Sequence, residues 1–372
     1  MVTALLWWSV AALAIVWIFY PLAIAATAAL RVPPPTAEPD TPAQVSVIIA
    51  SADDAVAIRA RVADVLAGHY PADRIKIVVG LDYATARSAP QELIGLGPKI
   101  ELVRGDPPGG KACALNAAVR AASGDFLVFT DTAQSFDARA ISELVAALCD
   151  TRVGAVSGYL ELERTRRGGT LAHLYWRYER MLRANEARVN SSVGVTGAIY
   201  AMRRELWKPL PAGLILDDVY TPMRLAIEGW RIGFTTRAVA FDERAFTPAQ
   251  EYRRKVRTLT GVIQLCAWLP AVLDPVRNPI WTQFVFHKLL RLLTPYLVSL
   301  VLFATVWQAT SFVISLGQPP IIYAMLAAIA LIFSMPRLRR ALFAQLSWAW
   351  ALQTSAFTAS INGLKGNWDV WK

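Results

Sequence analysis

Residues 126–136 read FLVFTDTAQSF. The run Phe126-Leu127-Val128-Phe129 has the length and β-rich character of a buried strand, and it ends on Asp131. A carboxylate at the C-terminal tip of a parallel strand stands where open α/β sheets bind ligands. Sites for a divalent cation and a diphosphate commonly place two carboxylates there as Asp-x-Asp, whereas the second position here is Ala133. Two readings of the strand end follow: a cation site with one carboxylate, or a polar cap.

The surrounding sequence repeats the pattern. VSVIIA (45–50), IKIVVG (75–80) and residues 100–104 are strand-like runs. Residues 54–68, 110–122 and 137–148 have helical spacing, with Val56, Ile58, Val62 and Val65 mostly on one side of the first. Alternating strands and helices predict an α/β fold, a doubly wound and mostly parallel sheet. No GxGxxG follows the first strand, which argues against a dinucleotide-binding domain.

The chain of 372 residues is 55% hydrophobic, with a mean hydropathy of +0.37. That exceeds an ordinary soluble composition and predicts membrane segments. The apolar residues concentrate at 3–30 and 293–364, which frames a domain of normal composition. The expected organisation is a transmembrane anchor (1–31), a proline-rich stalk (32–43) and a globular domain (44–278). An interfacial amphipathic helix (279–292), about three transmembrane segments (293–364) and a tail (365–372) complete it. In the segment 341–359, Gln345, Gln353, Thr354 and Ser355 leave three readings open: a span, an interfacial helix or a polar path.

Arg31 directly after the first apolar run, and PRLRR at 336–340, place the globular domain in the cytosol by the positive-inside rule. The net charge of +10 clusters at 164–167, 253–257 and 337–340, beside apolar segments. A basic skirt facing membrane lipids accounts for it, and no interleaved aromatics mark a nucleic-acid surface. Cys113, Cys149 and Cys266 have no paired spacing, and the three histidines are scattered.

Four features fall at predicted strand ends and loops: Asp82 after IKIVVG, Asp131 after FLVFT, Asp217-Asp218 in ILDDVY, and Arg253, Arg254 and Arg257 in EYRRKVR. Singly, each aspartate is accounted for as a turn former or helix N-cap, and the arginines as a headgroup-facing surface. Their order in one chain resembles the membrane-bound inverting glycosyltransferases of family 2, the group of cellulose, chitin, hyaluronan and bacterial exopolysaccharide synthases. The resemblance covers about 45–264 and rests most on GVTGAIYA, ILDD and RRKVR.

It implies a GT-A-type fold and a bacterial-type inner-membrane, multi-pass protein. By the same resemblance Asp82 contacts the nucleotide, GKACALN supplies Lys111 and Asn116 to the donor, and Asp131 is the first metal carboxylate. VGVTGAIYAMRREL forms an acceptor-side loop and strand with Thr196 and Gly197; Asp217 and Asp218 follow, with Arg224 six residues on. Arg254-x-x-Arg257-Thr258 stands where the family carries Gln-x-x-Arg-Trp, and Asp82-Tyr83-Ala84 where it carries Asp-Gly-Ser.

The chemistry suits these residue types. Mg²⁺ or Mn²⁺ takes oxygen ligands and often only one or two protein carboxylates, so Asp131 with diphosphate oxygens and water suffices. Arg254 and Arg257, at i and i+3, present guanidinium forks to a diphosphate, supported by Lys111. Asp218 is the expected general base toward an acceptor hydroxyl, with Asp217 beside it on the acceptor side. The expected function is transfer of a sugar from a nucleotide-diphosphate donor, UDP-linked, onto a growing polysaccharide, with a secretion partner. Two alternatives stay open: transfer of one sugar to a lipid acceptor, and a catalytically degenerate assembly subunit.

Overall fold

A computed structural model describes residues 1–31, 42–88, 90–93, 95, 97–162, 169–244, 247–316, 323–324, 331 and 334–370. The chain divides into two compact units. One comprises residues 1–22, 247–263 and 286–372, the other 23–246 and 264–285.

The second unit is built on a sheet of eight strands in the order β3-β2-β1-β4-β7-β6-β8-β5. β1 (Val45–Ser51), β2 (Ile75–Leu81), β3 (Ile100–Arg104) and β4 (Phe126–Thr130) form a parallel half. Val47, Ile48, Ile49, Ile77, Val78, Val79, Leu127 and Val128 are fully buried, as strands covered on both faces require. On one face the helices Ala55–Leu66 and Ala140–Ala147 bring Ile58, Val62, Val65, Ile141 and Leu144 into the same core as Val47, Ile49, Val79 and Val128.

The helix Lys111–Ala121 lies on the other face of this half. It comes close because Gly80 lets it: a Cβ there would stand 2.4 Å from the carbonyl oxygen of Ala114. Gly105 repeats the arrangement, its Cβ position falling 3.1 Å from the Ala114 Cα. Small residues on the helix (Ala114, Ala118) complete the backbone-to-backbone fit.

Beyond β4 the expectation of a mostly parallel sheet is corrected: the sheet is mixed. β7 (Tyr200–Arg203) runs antiparallel to both β4 and β6 (Val153–Leu162), and β5 (Ser135–Phe136) runs antiparallel to β8 (Arg231–Asp242). β6 and β8 run parallel to one another. The chain leaves β6 through the helix Gly169–Val189 and returns beside β6 in the opposite direction, so no crossover sets a parallel register.

Among the described residues two helices are long and apolar enough to cross a membrane, Val2–Ala29 and Trp281–Ser315, each shared between the two units along the chain. Residues 281–315 form one continuous helical run, with π and 3₁₀ turns between 285 and 293. Trp17 is fixed within the first unit by its indole N–H, 2.9 Å from Thr294 Oγ1, and by the Arg291 guanidinium 4.3 Å above its ring. The helix Pro336–Leu364 is tied in by hydrogen bonds from Tyr296 to Ser360 and between Tyr252 and Thr358. Most of the proline-rich stalk, the arginines at 164–167 and most of residues 321–335, within the expected transmembrane segments, lie outside the described residues.

Candidate active site

The parallel register sets the C-terminal strand tips level: Ser51 pairs with Leu81, and Ile49 with Thr130. Asp82 and Asp131 are therefore the first residues past β2 and β4 on the same sheet edge. The helix Lys111–Ala121 starts beside them, and Gly110, its N-cap, has φ +90°, a conformation glycine adopts without strain. Asp82 ties β2 to that helix start. Its Oδ1 accepts from the Ala84 N–H (2.8 Å) and the Gly110 N–H (3.1 Å), and its Oδ2 from the Thr85 hydroxyl (2.8 Å). Burial pushes this carboxyl up, but the hydrogen bonds from Ala84, Gly110 and Thr85 outweigh it and hold it below the usual carboxylate range.

Lys111 is the centre of the site. Its ammonium stands 3.0 Å from Asp131 Oδ1 and 3.7 Å from Asp217 Oδ2. Asp217 and Asp218 open the helix Asp217–Ile227, in the first turn, where backbone N–H groups favour negative charge. Gly197 closes the group: a Cβ there would lie 3.5 Å from Asp218 Oδ2 and 3.7 Å from Lys111 Nζ. One lysine thus faces three carboxylates. Burial alone would discharge it, but Asp131, Asp217 and Asp218 hold it charged, well above the usual lysine range. The least exposed of the acids bears the cost. Burial pushes the Asp217 carboxyl up to about 6, against the pull of Lys111 and helped by the charges of Asp218 and Asp131.

Two residues deepen the site that the sequence pattern did not single out. Tyr200 is 1% exposed, stacks flat on Phe129 at 4.4 Å, and its phenol oxygen has no hydrogen-bond partner among the described residues. Burial, then the charges of Asp217, Asp218 and Asp131, keep this phenol protonated. Arg61 is fully buried on the opposite sheet face. It pairs with Asp64, lies 3.9 Å over the Phe136 ring and donates to Thr130 Oγ1 at 2.9 Å, one residue before Asp131. A charge at 61 among Ile58, Val62 and Val65, on the apolar side of a helix, was the available signal.

The remaining expected residues divide. Thr196 and Gly197 join Lys111 and Asp218, with the Thr196 N–H donating to Ser157 Oγ at 2.9 Å. Asn116 is held at both ends of its amide by Leu210: its Nδ2 donates to the Leu210 carbonyl and its Oδ1 accepts from the Leu210 N–H, each at 2.8 Å. It anchors the helix to the loop before Asp217. Arg254 and Arg257 lie in the other unit, on the helix Pro248–Trp268, where Arg254 faces Glu251 at 3.5 Å. Arg224, also expected, pairs with Glu228 at 3.0 Å and donates to the Leu206 carbonyl, a structural position.

For a divalent cation the donor set fits in one way. Asp131 Oδ1 is taken by Lys111, whereas its Oδ2 accepts no hydrogen bond among the described residues, and the side chain is 36% exposed. Among those residues no group of three acidic, histidine or cysteine side chains could hold the ion unaided. A cation here would need diphosphate oxygens and water to complete the coordination that one carboxylate begins.

Residues 42–261, more than half the chain, match the family model described as glycosyltransferase like family 2. The chain belongs to this family. It is a glycosyltransferase. This glycosyltransferase shares its fold with the mannosyltransferase PcManGT from Pyrobaculum calidifontis, solved with GDP-mannose and Mn²⁺. The two are 22% identical with a TM-score of 0.70, over 98% of this chain and 99% of that one. Glucosyl-3-phosphoglycerate synthase from Mycobacterium tuberculosis, solved with Mn²⁺ and UDP-glucose, is 16% identical with a TM-score of 0.42, over 66% and 83%. No curated protein of assigned function matches the glycosyltransferase in sequence.

Proposed function

We propose that this glycosyltransferase moves a hexose from a nucleotide-diphosphate sugar to an acceptor hydroxyl, with inversion, at a membrane surface. The observation that carries the reading is Lys111 shared between Asp131 and Asp217, with Asp218 beside Gly197. The lysine and Asp131 stand where a diphosphate and its cation need opposite charges side by side. Asp218 offers a carboxylate on the acceptor loop.

In the reaction the acceptor oxygen forms a bond to the anomeric carbon as the bond from that carbon to the diphosphate breaks. The electron pair leaves with the nucleoside diphosphate, and the hydroxyl proton passes to Asp218. Attack from the face opposite the leaving group inverts the anomeric centre. Lys111 neutralises charge developing on the diphosphate, and Asp217 holds Lys111 in place. A Mg²⁺ or Mn²⁺ bound through Asp131 would add Lewis-acid stabilisation of the same charge. Arg254 and Arg257 are proposed as further diphosphate partners on their sequence spacing alone.

GDP-mannose and UDP-glucose in the two solved relatives motivate testing both nucleotides, and the sequence expectation favours UDP. The helices Val2–Ala29 and Trp281–Ser315 support work at a membrane, with the acceptor a polysaccharide end or a lipid. The decisive experiment follows nucleotide release and product mass from the detergent-purified chain over a panel of UDP- and GDP-sugars with membrane extract. A ladder of masses supports polymer extension and a single adduct supports the lipid acceptor. No release from any donor rejects the enzyme reading in favour of an assembly subunit.

A further inference from the structure

The helix Gly169–Val189 carries Arg180 and Arg183 one turn apart, both turned toward the sheet. The Arg180 guanidinium lies 4.4 Å over the ring of Tyr159, and Arg183 Nη1 donates to Thr196 Oγ1 at 3.3 Å. Tyr159 and Ser157 are two residues apart on β6 and so share a face. Ser157 is paired with Tyr200, and Tyr200 with Phe129, so all four side chains stand on the face that carries the site. The Thr196 hydroxyl touches Ser157 Oγ at 3.2 Å, and the next residue is Gly197, against Asp218 and Lys111. The two arginines therefore continue the cationic line from Lys111 away from the donor carboxylate Asp131, toward the acceptor side.

Both arginines are half-buried as residues, and among the described residues no carboxylate forms an ion pair with either. Glu179 and Glu186 on the same helix are buried with partners of their own. A planar guanidinium held over a ring or against a hydroxyl, still with N–H groups to spare, is built for bidentate contact with an oxyanion. A neutral sugar acceptor would leave these two charges uncompensated.

We infer that the acceptor carries a phosphate group, held by Arg180 and Arg183 while its hydroxyl faces Asp218. This rests on the transferase reading above and names the class of acceptor it takes. A phosphate on a lipid and one on a soluble molecule present the same oxygens, so the two sources are separated by experiment.

The test uses the full chain in neutral detergent micelles. Glycerol 3-phosphate is the soluble probe, phosphatidic acid the lipid-borne one, and phosphatidylcholine the control. Wild type is expected to bind a phosphate monoester probe at least about tenfold more tightly than the Arg180→Gln/Arg183→Gln double variant, since each lost contact is a charge-assisted hydrogen bond. The double variant should keep its affinity for UDP or GDP, which reports an intact fold, and Arg183→Lys should recover part of the loss. Binding of phosphatidic acid alone assigns a lipid phosphate; binding of glycerol 3-phosphate as well shows that the ester suffices. Binding no stronger than the phosphatidylcholine control, or equal binding by the double variant, overturns the inference. Failure of the transferase reading would show separately, as no nucleotide release from any sugar donor in the wild type.

Discussion

Lys111 Nζ lies 3.0 Å from Asp131 Oδ1, which joins the first residue of a helix to the first residue past β4. The bond gives the end of FLVFTD a charged partner. With Ala133 in the second carboxylate position, the strand tip keeps one acid, and a lysine presented by the neighbouring helix shares it. Under the proposed function a diphosphate entering there would meet a cationic group already in place, and Asp131 would keep one oxygen for a metal ion.

Replacing Lys111 by methionine should weaken binding of the nucleotide-diphosphate sugar by about ten- to a hundredfold, the worth of a charge-assisted contact. Calorimetric titration with UDP- and GDP-sugars measures it. Unchanged affinity would remove Lys111 from the donor site.

Asp217 gives a pH dependence with a definite sign. Its folded-state pKa, about 6, lies above the value of roughly 3.9 for an unfolded aspartate. The folded state therefore binds the extra proton, so the stabilising contribution is full below about pH 4 and is lost as pH rises through about 6. Asp217→Asn, neutral throughout, should gain stability over wild type as pH rises across that window, by up to about 2–3 kcal/mol at pH 7–8. Thermal unfolding of both proteins from pH 4 to 8 checks it, and a difference that shrinks with rising pH would contradict it.

Asp218→Asn should lower transfer by about 10²–10⁴ while leaving donor affinity near wild type. Single-turnover transfer measured beside nucleotide binding separates the two effects. Equal loss in both would make Asp218 a donor residue.

Chelation by EDTA should abolish transfer, and Mn²⁺ or Mg²⁺ should restore it. Asp131→Asn should raise the metal concentration needed for half-maximal rate at least about tenfold. Mn²⁺ electron paramagnetic resonance with UDP bound gives a readout apart from turnover. Full activity in EDTA would leave charge compensation to protein cations alone.

Tyr200→Phe removes a buried oxygen that has no partner among the described residues, so the variant should be as stable as wild type or more so, by about 1 kcal/mol. A marked loss of stability in denaturant unfolding would mean that the phenol bonds a group outside those residues.

The parallel half of the fold was legible because strands buried on both faces read as unbroken apolar runs, as VSVIIA and IKIVVG do. β6 and β8 were not. VGAVSGYLEL and RIGFTTRAVAFD mix small, polar and charged residues, since parts of each are only half covered. The mixed direction of the sheet follows from where the chain turns after β6, which no local pattern encodes. At the site, the order of Asp82, Lys111, Asp131, Gly197 and Asp218 was visible as motif, and the structure sets the last four together. Side-chain commitments were hidden. Nothing in GKACALN shows that the Asn116 amide is spent on the Leu210 backbone, and Tyr200 reads as core until its strand partners are known.

Gly80 and Gly105 let the helix under Lys111 rest on the sheet backbone to backbone. Contacts of that kind have no rotamers to adjust, so the backbone at Lys111 is located as a part is located against a machined stop, and the side chain reaches out from a fixed root. Drift of side chains elsewhere in the core can then be absorbed without moving that root. The cost of this insulation is that the stop itself has no tolerance. One methyl at Gly80 must displace the backbone beside Ala114, and with it the root from which Lys111 reaches Asp131 and Asp217, a change no substitution at the lysine could mimic.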